Sequence, residues 1–279
     1  MKKGLVLDGG GVFGIGQAHI LSQIDTSRFD FFVGTSIGSA ICAQLASGGN
    51  YDILPEFFHN EMPKIFKTDW KHKYNIFNPK YPDKALNDAL VSLLDGFILG
   101  NVKKPLFVTA ANLSTNELKV FSSFNTEDQG WQLWEVVRSA TAAETYFAPW
   151  KGYADGGVFA NNPSMVAIAS ACKVLQYDVG DIQLCSIGTG IGSDNYSPKK
   201  DFSLFTWGAW LLNTLLQGSS NSMHGYFARS MPINKYTRIQ FVRQKGWKMD
   251  NPKDMFRAED YWKEDIKRGV ETVNRFLDD

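Results

Sequence analysis

Phe31-Phe32-Val33-Gly34-Thr35-Ser36-Ile37-Gly38-Ser39-Ala40-Ile41-Cys42-Ala43 is the stretch on which the fold turns. A short apolar run ends in G-x-S-x-G, and small residues continue to Ala46 before Gly48-Gly49 stop the pattern. In a nucleophile elbow the serine sits on a sharp strand-to-helix turn with its hydroxyl exposed at the helix head. Glycines flank it because side chains there would collide with strand and helix. A strand before and a helix after distinguish this setting from an ordinary turn serine. Ser36 is therefore the candidate nucleophile, with Gly34 and Gly38 as its motif glycines. The similar stretch Cys185-Ser186-Ile187-Gly188 has Leu184 where the leading glycine belongs, so Ser186 reads as strand-end scaffolding.

Upstream, another short apolar run leads into Asp8-Gly9-Gly10-Gly11-Val12-Phe13-Gly14 and then an amphipathic stretch carrying Ile15, Ala18, Ile20 and Leu21. Such a loop lets backbone approach a ligand closely. The unpaired N–H groups at the following helix start favour negative charge, either a phosphate or an oxyanion that develops during reaction. Gly9, Gly11 and Gly14 satisfy G-x-G-x-x-G, but a dinucleotide site also needs an acidic residue at the end of the second strand. Asp30 stands at the start of that strand and Gly34 follows its end, which counts against a nucleotide site.

Along the chain, candidate strands over 4–7, 30–33, 105–110, 118–122, 181–187 and 236–242 alternate with helical patterns over 14–24, 37–46, 82–94, 131–143, 163–175 and 258–277. The last pattern places Trp262, Ile266, Val270, Val273 and Leu277 on one apolar stripe, which reads as core. This alternation predicts an α/β fold, a three-layer α/β/α sandwich around a central, mostly parallel sheet, with ligands beyond the carboxyl ends of the strands. With no repeat, low-complexity tract or linker in its 279 residues, the chain is expected to form one catalytic domain over 1–279, its motifs within about 4–242 and a C-terminal helix over about 258–277.

A serine hydroxyl needs a base, usually a histidine. The four histidines, His19, His59, His72 and His224, all stand outside the strand-end loops. Asp155-Gly156-Gly157, followed by Asn161-Asn162-Pro163, offers an acid instead. Asn162 and Pro163 read as a helix start, while Asp155 fits either a turn aspartate before glycine or a base. An aspartate near its ordinary pKa of ~4 is a feeble base, so a base role requires a pocket that desolvates the carboxylate.

Taken in order, Asp8-Gly-Gly-Gly-Val-Phe-Gly14, Gly34-Thr-Ser-Ile-Gly38 and Asp155-Gly-Gly157 resemble the patatin-like phospholipase family. Trp134 to Ala143, Asp155 to Pro163 and Ser186-Ile-Gly-Thr-Gly190 are similar to further family blocks. The resemblance implies Ser36 as nucleophile, Asp155 as base of a Ser-Asp dyad, and the N–H groups of Gly9, Gly10 and Gly11 as oxyanion hole, with Gly14, Gly34, Gly38, Gly156 and Gly157 shaping the loops. It implies hydrolysis of fatty-acyl esters of phospholipids or lysophospholipids through an acyl-enzyme, with no metal and no cofactor. It extends to bacterial effectors that degrade membranes. The chain departs from the pattern at Phe13, where many members carry Arg or Lys, and at Glu144, where many carry proline. The alternative is a lipid- or nucleotide-binding α/β module that uses the glycine-rich loop without turnover.

Lys plus Arg and Asp plus Glu both total 29, so no global charge steers the chain to nucleic acid or to an anionic membrane. Cys42, Cys172 and Cys185 form neither a disulfide framework nor a zinc motif, which fits a reducing cytoplasm. Asp8 and the glycines interrupt any signal-like start. Membrane contact is therefore expected to be local and peripheral, at the inner membrane. The apolar segment 202–216 fits either an acyl-binding surface or a core helix. The Lys-rich aromatic segment 57–77 fits either a basic lid or a solvated face. Oligomeric state is not written in the sequence.

Overall fold

The computed structural model describes residues 1–69, 78–192, 207 and 220–279. Strand β1 (Lys2–Leu7) passes through a 3₁₀ turn at Gly11–Gly14 into α1 (Ile15–Leu21); β2 (Phe31–Thr35) feeds α2 (Ile37–Ala46) and then α3 (Leu54–Ile65). After α4 (Asp83–Leu94) come β3 (Leu106–Asn112), β4 (Glu117–Ser122), α5 (Leu133–Ala140), β5 (Tyr153–Asp155), α6 (Gly157–Ala160) and α7 (Ser164–Lys173). The chain continues through β6 (Ile182–Ile187), β7 (Ile191–Gly192), α8 (Ser220–Ser230), β8 (Lys235–Ile239), β9 (Val242–Arg243), α9 (Pro252–Tyr261) and α10 (Lys263–Asp278).

The main sheet has the order β4-β3-β2-β1-β6-β8, parallel except where β3 meets β4 and β5. Alternation along its central strands divides the core. Leu5, Leu7 and Phe32 join Ile20 of α1, Ile41 of α2, Leu90 of α4, Val136 of α5 and Phe276 of α10 on one face. Val6, Phe31 and Val33 join Val166 and Ile168 of α7 and Ala228 of α8 on the other. Helices thus cover both faces of a mixed, mostly parallel sheet, which explains why its strands read as continuous apolar runs. Strand order runs one way from β1 to β2 and β3 and the other way to β6 and β8, so a topological switch point lies beyond the carboxyl end of β1.

The 258–277 pattern is two helices. They meet at Trp262, which is fully buried and stacks on Phe241 at 4.5 Å while its Nε1–H donates to the Val242 carbonyl at 2.9 Å. The expected stripe is core, with Ile266, Val273 and Leu277 all buried. The expected 236–242 strand also divides: β8 ends at Ile239, and β9 leaves the sheet to pair with β7. Apart from Trp207, which is exposed, the 202–216 segment lies outside the described residues, as do residues 70–77 of the 57–77 segment. Among the described residues, no helix is long and apolar enough to cross a membrane.

Candidate active site

Register places the two candidate reacting groups. Residues Leu106 to Thr109 of β3 pair with β2, and the next residues, Ala110 to Asn112, pair with β5. Because β4 occupies the other edge of β3, β5 lies in line with β2 and beyond its carboxyl end. Asp155 closes β5 and Ser36 follows β2, so the two meet there. Ser36 stands beside the Asp155 carboxylate, where its hydroxyl draws the Asp155 pKa down, and Asp155 Oδ1 accepts the Gly157 N–H at 2.8 Å.

Ser36 adopts φ 52° and ψ −127°, the strained backbone expected of a nucleophile elbow. The surrounding bonds hold this strain. The Ser36 carbonyl accepts the Ser39 N–H at 2.9 Å, and the Thr35 hydroxyl bonds to Thr109 Oγ1 and the Ala160 carbonyl, each at 2.6 Å. Gly38 must lack a side chain, since a Cβ there would lie 2.5 Å from the Leu7 carbonyl oxygen of β1.

Burial lifts the Asp155 pKa to about 6, while the hydrogen bonds from Ser36 and Gly157 oppose the rise. Raised above its ordinary 3.8, this carboxyl stabilises the fold when protonated, below that value, and the stabilisation is lost as pH rises through about 6. Asp155→Asn, which mimics the neutral form, is therefore expected to raise stability at pH 7.5 by about 1–3 kcal/mol. Thermal unfolding checks it; an unchanged or lower Tm contradicts it.

The pair opens onto a solvent-open cavity with apolar walls that include Ile37, Met62, Ile65, Phe66, Leu86 and Phe147. Its apolar lining suits an acyl chain better than a sugar or a nucleotide. Part of that wall is α3, whose apolar side faces inward while Lys64 stays at the surface, paired with Glu61 at 2.7 Å. A family model for patatin-like phospholipases matches residues 5–168, a span that contains the glycine loop, the elbow and Asp155.

The chain belongs to the patatin-like phospholipase family.

A cGAMP-activated phospholipase of Escherichia coli (strain TW11681) is 28% identical to it over 223 residues, covering 68% of this chain and 62% of that protein. A second, from Vibrio cholerae, is 26% identical over 66% of this chain and 63% of its own length. Patatin-like protein 2 of Arabidopsis thaliana is 24% identical, covering 81% of this chain and 68% of its own length. The match thus spans about three fifths of the two cGAMP-activated relatives. VipD from Legionella pneumophila shares the fold, with a TM-score of 0.54 at 16% identity over 99% of this chain and 67% of that one.

In this patatin-like chain the glycine loop departs from expectation at one residue. The Gly9 N–H donates to the Asn161 carbonyl at 3.1 Å, so it is already committed. Gly10 and Gly11 line the cavity, and their N–H groups have no acceptor among the described residues. The candidate oxyanion donors therefore narrow to those two. Gly9 serves instead as a joint: its carbonyl accepts the Thr189 hydroxyl at 2.6 Å, and a Cβ there would lie 2.9 Å from the Ser36 Cβ. Gly14 packs on Phe58, Gly34 on Ser39 and Gly156 on Thr109.

Beneath the loop, the Asp8 carboxylate is buried against Arg238 of β8. Arg238 Nη1–H donates to Asp8 Oδ1 at 2.8 Å and to the Ser186 hydroxyl at 2.6 Å, which gives Ser186 the scaffolding role expected of it. Arg238→Met is expected to cost about 3–5 kcal/mol, because it strands a buried carboxylate. The exposed pair Arg28–Asp278 is the control: Arg28→Met should cost less than about 1 kcal/mol. Urea unfolding midpoints compare the two, and equal costs contradict the prediction.

Two cavity residues were not among the candidate site residues. Arg243 of β9 lines the cavity and lies over the Phe13 ring at 5.1 Å, so a cation stands near the loop although position 13 is aromatic. Glu144 also lines the cavity; its Oε2 is buried with no hydrogen-bond partner among the described residues. Burial and the charge of Asp155 push its pKa up to about 8. No histidine among the described residues lines this cavity: His19 and His59 bond to Glu259, and His224 bonds to the backbone of Asn162. His72 lies outside the described residues.

Proposed function

We propose that this chain is a serine lipid acyl hydrolase acting on fatty-acyl esters of phospholipids or lysophospholipids. Supporting this most directly is the juxtaposition of Ser36 with a buried Asp155, both lining one apolar cavity. Ser36 Oγ attacks the ester carbonyl as Asp155 takes its proton, and the Gly10 and Gly11 N–H groups stabilise the oxyanion. The alcohol portion leaves with that proton. Water, activated by Asp155, then releases the fatty acid from the acyl-enzyme. A carboxylate with a pKa near 6 is a competent base at neutral pH, where one near 4 is not.

On this reading, residues 1–279 form one catalytic domain that works in the cytoplasm and meets the inner membrane peripherally, in the manner of an effector that degrades membranes. Balanced charge and free cysteines, two of them buried, are consistent with that setting. The test is mass spectrometry of a mixed phospholipid suspension after incubation with wild type and Ser36→Ala. Free fatty acid and lysophospholipid should accumulate with wild type only. Equal release by both proteins, or by neither, refutes the assignment.

A further inference from the structure

Three helices each contribute a side chain to one point outside the cavity: His19 of α1, His59 of α3 and Glu259 of α9. His19 Nε2 lies 2.6 Å from Glu259 Oε1, and His59 Nε2 lies 2.9 Å from Glu259 Oε2. One donor atom from each residue lies within 4.8 Å of the other two. We infer that His19, His59 and Glu259 form a binding site for a divalent transition-metal ion of the zinc class.

Two imidazole nitrogens and one carboxylate oxygen suit such an ion, whereas calcium and magnesium take oxygen-rich shells. Metal–ligand bonds of about 2.0–2.2 Å are reached by small side-chain shifts, because the donor atoms already surround a common point. All three side chains are partly exposed, at 24%, 38% and 21%, which leaves an entry route and room for water as fourth ligand. Lys263, which feels the charge of Glu259, is paired with Asp260 at 2.9 Å. The His59 ring is held from the side by Phe256 at 5.5 Å.

Position suggests the role. Helix α1 follows the glycine loop, α9 packs on the 3₁₀ turn of that loop, and α3 supplies cavity wall through Met62 and Ile65. A metal here ties the wall helix to the two helices that brace the oxyanion loop. The hydrolytic step proposed above does not pass through it. The ligands lie 40 and 200 residues apart in sequence, which conceals the site from spacing motifs.

The full chain, freed of metal by chelation and dialysis, is titrated with Zn²⁺ by calorimetry, with Co²⁺ absorption reporting geometry. The expected result is one equivalent bound, a tetrahedral Co²⁺ spectrum and a Tm that rises with Zn²⁺. Glu259→Gln and His59→Ala should each weaken binding at least tenfold, while Ser36→Ala binds as wild type does. The metal-free Tm of each variant shows that it is folded, and a Glu259→Asp variant that partly restores binding distinguishes ligation from misfolding. Absence of a one-equivalent site in wild type, or undiminished binding by Glu259→Gln, overturns the inference.

Discussion

Ser36→Ala and Asp155→Asn should each reduce hydrolysis of a soluble fatty-acyl ester by at least about 10³-fold, while His224→Ala retains wild-type activity. The magnitude follows from the loss of the nucleophile or of its base when members of such a unit act together. The double variant should be little worse than either single one, because removing one partner already disables the other. Asp155→Asn is the sharper test. Asparagine preserves the size of the side chain, and its carbonyl oxygen can still accept the Gly157 N–H, while the ability to take a proton is removed. Its expected gain in stability separates loss of chemistry from loss of fold. An Asp155→Asn protein with more than a tenth of wild-type kcat/KM shows that Ser36 is activated by another group.

The second large effect is on pH dependence. Asp155 must be ionised to accept a proton, so kcat/KM should fall about tenfold per pH unit below about 6. Glu144 titrates after it, near 8, because burial and the negative charge of Asp155 hold its proton. Between these values the cavity carries one carboxylate and one neutral carboxyl. Above about 8, ionised Glu144 adds a second negative charge where the oxyanion forms, and the rate should fall again. Tyr146, which also lines the cavity, is pushed up to about 12 by burial and so lies outside this window. Glu144→Gln should therefore remove the alkaline fall and leave the acid limb in place. Profiles from pH 5 to 9.5 with an uncharged ester decide this. An acid limb near 4, or an alkaline limb that persists in Glu144→Gln, contradicts the assignment.

Much of this arrangement was legible from local pattern. Runs such as Phe31 to Val33 and the small-residue helix after Ser36 specify strand, turn and helix through neighbours in sequence, and α2 spans the expected 37–46. Short continuous apolar runs marked β1 and β2 as buried strands, and helices fell on both faces as expected. What escaped depends on partners distant in sequence. Arg238 reads as one charge in an exposed-looking strand until Asp8 lies beneath it. The commitment of the Gly9 N–H to Asn161 is a contact across 152 residues, so no glycine count could separate Gly9 from Gly10 and Gly11. Trp262 fits its helical stripe, yet α9 and α10 meet at it, where its backbone turns to ψ 10° and its indole packs on Phe241 and donates to the Val242 carbonyl. Glu144 carries no motif; its significance comes from the company of Asp155.

The most direct test of the central claim is covalent capture of the nucleophile. Wild type treated with a long-chain fluorophosphonate at pH 7.5 should gain one adduct, located on Ser36 by peptide mass spectrometry. Asp155→Asn should label at least a hundredfold more slowly, and prior incubation with phospholipid vesicles should protect the site. Labelling of another serine, or a folded wild-type protein that takes no label, contradicts a Ser36–Asp155 hydrolase.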